Sequence, residues 1–149
     1  MKNWSKWVGW KDRENLDGIS YSGVYAIAIA EQVIAGKDFD FEKEIAYFGM
    51  TNSKGGLKNR LQQFDNTIQG KEGHGGAKRF RKKYPDYHKL IEVLYVAVKP
   101  FKCDTALKNQ KDLLVMGKVA EFEYICFAEY LGKYGSLPEF NDMKRSPKD

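Results

Sequence analysis

A chain of 149 residues, 42% hydrophobic and 30% charged, has the balance of one compact globular domain and little room for a second. Two widely separated cysteines with no CxxC pair argue against a disulfide framework or zinc site, and two histidines exclude a multi-histidine metal centre. With no apolar run near the roughly 18 residues of a membrane span and no secretory-type leader, a soluble, cytoplasmic protein with no membrane partner is expected.

Residues 1–20 read as a polar N-terminal extension of a single domain covering 1–149, with Trp4, Trp7 and Trp10 packing as an arm on a sheet. Residues 23–30 (GVYAIAIA) are apolar at both alternating sets of positions, which predicts a central strand covered on two faces. The connection 31–44 leans acidic through Asp38, Asp40, Glu42 and Glu44, and either extends a hairpin or forms a flap. A second strand is predicted over 45–50. After Lys54-Gly55-Gly56, the spacing of Leu57, Leu61, Phe64 and Ile68 describes one apolar helical stripe. Arg60 borders that stripe, so its head reaches the rim of the sheet. A glycine-rich loop at 70–76 carries His74, and a short basic helix follows over 77–83, ending before Pro85. Residues 89–98 read as a third strand rich in Val, Ile, Leu and Tyr. A long helix is predicted over 105–131, capped by Asp104 or Thr105. Pro85, Pro100, Pro138 and Pro147 fall at element ends. The sum is a small α/β protein with a three-stranded, mostly antiparallel sheet flanked by helices.

The net charge of +5 is unevenly spread. Lys71, Lys78, Arg79, Arg81, Lys82 and Lys83 crowd into residues 71–83 against Glu72 alone, the footprint expected for a phosphate backbone or simply a solvated helix face.

Gly23-Val24-Tyr25 followed by Tyr47-Phe48-Gly49 resembles the paired signature of the GIY-YIG nuclease superfamily. Leu57-Lys58-Asn59-Arg60-Leu61 is similar to that family's arginine helix, and a glutamate in the last helix with Asn141 after Pro138 completes the pattern. The resemblance spans residues 22–141, with two departures: a longer gap between the tripeptides, and a stretch before Asn141 at Lys133-Tyr134-Gly135-Ser136. It implies a divalent-metal-dependent endonuclease. Tyr25 would be the general base or water-positioning phenol and Tyr47 its partner. Arg60 would clamp the scissile phosphate, a helix glutamate would bind Mg2+ (or Mn2+), and Asn141 would be a hydrogen-bonding strut.

The residue types suit that chemistry. Phosphodiester hydrolysis needs a deprotonated water and charge neutralisation on the phosphate. One carboxylate can hold a hard cation that keeps most of its waters, and a guanidinium can fork onto non-bridging oxygens. Helical geometry places Glu123 on one face with Val119, Cys126, Phe127 and Tyr130, whereas Glu121 points away, so Glu123 is preferred as ligand. His74 either contacts phosphate, shares proton transfer, or belongs to a plain mobile loop. Lys54 and Lys58, with Lys78, Arg79, Arg81 and Lys82, are candidate contacts to DNA. The expected partner is double-stranded DNA, bound by a monomer or homodimer in a restriction-like or structure-selective role. The rivals are a catalytically silent nucleic-acid-binding module on the same scaffold and an interaction domain using the three tryptophans.

Overall fold

The computed structural model describes residues 3–141; Pro147, expected at an element end, lies outside them. In chain order it contains β1 (Val8–Gly9), a 3-10 helix (Trp10–Asn15), β2 (Ser22–Ile29), β3 (Ile45–Thr51), α1 (Gly56–Ile68), α2 (Gly75–Lys83), α3 (Tyr87–Val93), β4 (Leu94–Phe101) and α4 (Gln110–Tyr134). The strands form one antiparallel sheet in the order β1-β4-β2-β3.

β2 is central and buried, as its apolar run requires. Tyr25 and Ile27 face a core built with α1, α2 and α3, where Leu57, Leu61, Phe64 and Ile68 of α1 are all buried. Val24, Ala26 and Ala28 face a second core built with Phe48, Phe127 and Tyr130, against α4. The small alanines leave room for the aromatic rings above them. β3 is an edge strand, so the helix layers on the two faces can both reach groups along its free side.

The sheet has four strands rather than three. Val8 and Gly9 pair with Val96 and Tyr95 of β4, so the expected extension is integral to the fold. Trp7 and Trp10 are each 1% exposed. Trp4 stacks on Phe39 at 3.8 Å between centroids, while Trp10 donates its indole N–H to the buried Asp65 at 2.7 Å. The tryptophans pack on the sheet and are therefore not an exposed interaction surface. The 31–44 connection is an irregular segment pinned down by buried Phe39 and Phe41. The Phe41 carbonyl accepts from Lys133 and Tyr134 of α4.

Two elements differ in extent from expectation. The predicted strand over 89–98 begins only at Leu94, because Tyr87–Val93 is helical. Asp86 caps that helix by accepting from the Lys89 amide, and Leu90 is its one buried residue, with Tyr87 and Ile91 partly buried beside it at helical spacing. The same strand runs on through Pro100, where β2 is its only partner. The last helix starts at Gln110 under an Asn109 cap, not at 105, and ends at Tyr134 with Gly135 in the left-handed region, φ 80°. Asp104 instead accepts from the Ala106 amide in a local turn, and Leu107 has φ 63°, which no helix continues through.

Candidate active site

Tyr25 stands on β2 directly across from Gly49 of β3. Its phenol lies over that glycine, and a side chain at 49 would occupy the place of the Tyr25 ring and hydroxyl. The second glycine of the paired tripeptides is therefore a space requirement set by the first tyrosine. Tyr25 is 0% exposed, and burial, reinforced by Tyr47, holds its pKa well above the usual tyrosine range.

The Tyr25 hydroxyl meets Nε2 of His74 at 2.7 Å. Nδ1 of the same ring accepts from the Ala77 amide at 3.2 Å and so caps α2. An accepting Nδ1 fixes the neutral tautomer with its proton on Nε2, so His74 donates to Tyr25. Burial, helped by the Arg60 charge, pushes the His74 pKa down to about 3. At 1% exposure with both ring nitrogens engaged, His74 lies behind Tyr25 and orients its hydroxyl. His74→Ala should destabilise the fold by about 2–3 kcal/mol at neutral pH, through a missing cap and the loss of one hydrogen-bond partner of the buried Tyr25 hydroxyl. Because its folded pKa is depressed, the stability it contributes is present above about pH 6.5 and declines as pH falls towards 3. The gap between wild type and His74→Ala in urea denaturation should accordingly narrow with acid. A gap independent of pH would contradict the neutral assignment.

Tyr47 of β3 is half-buried, with its ring 6.2 Å from Tyr25 and 5.8 Å from His74. Gly76 in the first turn of α2 permits this approach, since a Cβ there would lie 2.5 Å from the Tyr47 hydroxyl. Burial raises the Tyr47 pKa as well, and the Arg60 charge opposes the rise.

Arg60, half-buried on α1, donates from Nη1 to Gln63 one turn on, at 2.9 Å. It has no carboxylate partner within 4.0 Å among the described residues. Its charge nevertheless acts on Tyr25, Tyr47, His74 and Glu123 alike. Glu123 arrives from α4, on the stripe whose Val119, Cys126, Phe127 and Tyr130 are buried. Half-buried, and with no hydrogen bond or ion pair among the described residues, its carboxyl is pushed up to about 7 by desolvation against the pull of Arg60. Glu121 is exposed. Two phenols, a guanidinium and a carboxylate from four elements thus act electrostatically on one another.

Asn141 clasps the edge strand β3. Its side chain accepts from the Phe48 amide at 2.8 Å and donates to the Phe48 carbonyl at 2.9 Å, beside Tyr47. The basic residues divide. Lys54, Lys58 and Lys82 are exposed without a side-chain partner among the described residues, and Lys78 sits 3.7 Å from Glu72 with both exposed. Arg79 and Arg81 instead hold the fold, donating to the carbonyls of Phe140 and Ile68. Arg79 also bears electrostatically on Tyr47 and His74, a placement that its position in a basic run did not signal.

No group of three His, Cys, Asp or Glu side chains able to hold a metal occurs among the described residues. A cation at this site would rest on the Glu123 carboxylate, an oxygen donor without a compensating partner, and would take its other ligands from water and substrate. That suits a hard ion such as magnesium, which binds proteins through one or two carboxylates. No family model, curated protein or solved structure matches the chain.

Proposed function

We propose that this chain is a divalent-metal-dependent endonuclease of the GIY-YIG type, hydrolysing phosphodiester bonds in double-stranded DNA in a restriction-like or structure-selective role. The observation that carries the reading is the uncompensated, half-buried Glu123 carboxylate set against an Arg60 guanidinium that has no counter-ion among the described residues. A phosphate and its cation would satisfy both.

In this reading Glu123 holds Mg2+ or Mn2+, which when bound neutralises phosphate charge and acidifies a coordinated water. Arg60 braces the non-bridging oxygens through its remaining N–H groups. The water-facing phenol is Tyr47, because Tyr25 is wholly buried. Both phenols stay protonated at neutral pH, so Tyr47 orients water by hydrogen bonding, and Tyr25 and His74 hold it in place. The general-base role that the resemblance implies for Tyr25 is not retained. Lys54, Lys58 and Lys82 grip the duplex backbone.

The fully buried Tyr25 is also what a catalytically silent nucleic-acid-binding module could retain. End-labelled duplex DNA incubated with the purified protein separates the two. Magnesium-dependent product that a chelator abolishes supports the nuclease; binding without cleavage supports the module.

The triple variant Lys54→Gln, Lys58→Gln, Lys82→Gln should fold normally, since all three side chains are exposed. It should bind duplex at least about tenfold more weakly at low salt. The slope of log K against log salt should shrink by about 0.9 for each phosphate that a lysine no longer neutralises. An unchanged slope, measured by fluorescence anisotropy, would place the DNA elsewhere.

A further inference from the structure

The outward face of α4 carries Leu113, Leu114, Tyr124, Ile125 and Leu131, each more than 40% exposed. Gly117 and Gly132 lie on the same face, and a Cβ at either would meet nothing. Glycine is disfavoured inside a helix, and nothing within the described residues requires it at these positions. Exposed apolar side chains alternating with glycine and Ala128 form a surface that a second helix can approach closely.

We propose that this face is the interface of a homodimer in which the α4 helices of two copies pack antiparallel about a two-fold axis between Phe122 and Glu123. The order of residues along the face is self-complementary about that point. Leu114 falls opposite Leu131 of the second copy, and Gly117 falls opposite Ala128. The one acidic residue within the stripe, Glu121, falls opposite Tyr124, whose hydroxyl donates to it. Lys118 and Glu129 share one flank, where an antiparallel pair brings each beside the other's counterpart. Apolar residues meet apolar ones, and each polar group meets a partner of opposite character. Glu123 turns inward, so the interface leaves the site free and does not depend on the catalytic reading.

Sedimentation equilibrium of the full chain should give twice the chain mass of 17.2 kDa, and Leu114→Glu should raise the dissociation constant at least about tenfold. Register is tested in a Cys103→Ser background by mixing Leu114→Cys with Leu131→Cys under mild oxidation. The mixture should cross-link. Neither variant alone should, because like positions lie about 25 Å apart along the antiparallel pair. A monomer throughout the micromolar range, a dimer indifferent to Leu114→Glu, or Leu114→Cys cross-linking alone as well as in the mixture would overturn the proposal.

Discussion

Arg60→Ala is expected to slow DNA cleavage at least about a hundredfold while the protein stays folded. A guanidinium that meets a phosphate oxygen most strongly in the transition state is typically worth about 3 kcal/mol or more. The fold should tolerate the change because Arg60 is half-buried, bonding Gln63 in the same helix and the Tyr25 hydroxyl, which keeps His74 as a partner. Alanine also propagates a helix well. The loss should fall on kcat and kcat/KM together, since duplex binding rests mainly on the exposed lysines. Cleavage at the wild-type rate would show that Arg60 is an ordinary half-buried surface residue. An unfolded variant, seen by circular dichroism, would show that it supports the core.

Glu123→Gln should do two things at once: remove magnesium-dependent cleavage, and stabilise the protein. The folded carboxyl titrates near 7 instead of its ordinary 4.5 because burial disfavours its charge. A raised folded pKa means that the group favours the folded state below about pH 4.5, and that this advantage is lost as pH rises through about 7. At pH 8 the wild type therefore carries a buried charge that glutamine does not. Glu123→Gln should be more stable by about 2–3 kcal/mol there, allowing for partial solvent access, with little difference at pH 4. Urea midpoints at both pH values report this directly. Glu121→Gln, whose side chain is exposed in the single chain, should change neither the pH dependence of stability nor cleavage. If the two variants exchange behaviours, the ligand is Glu121.

Much of this arrangement was legible in the residues. The α1 stripe and the doubly apolar β2 run announce their elements because burial on one helix face, or on both faces of a strand, writes itself into spacing. Glu123 could be separated from Glu121 for the same reason: α4 is amphipathic along the stripe that holds it. Other features depended on groups distant in the chain. Residues 89–93 carry strand-forming side chains, yet the Asp86 cap after Pro85 turns them into helix. β1 is two residues long, too short for any alternation to show. His74 stayed open between a site role and a loop residue because nothing local reveals that Tyr25, 49 residues away, accepts its hydrogen bond. The basic residues 78, 79, 81 and 82 looked alike, although Arg79 and Arg81 are committed to carbonyls at 140 and 68. Spacing reports which face a side chain takes; it does not report which partner arrives from elsewhere.

If phenols, guanidinium and carboxylate form one hydrolytic centre, magnesium-dependent nicking of supercoiled plasmid will depend on all of them together. Wild type, Arg60→Ala, Glu123→Gln and the double variant are compared side by side, with and without chelator. Residues that act as a unit give non-additive losses. Wild type should cut only with the metal, each single variant should fall far below it, and the double variant should be no slower than the slower single. No metal-dependent cutting by the wild type, or single-variant losses that multiply in the double, would contradict the account.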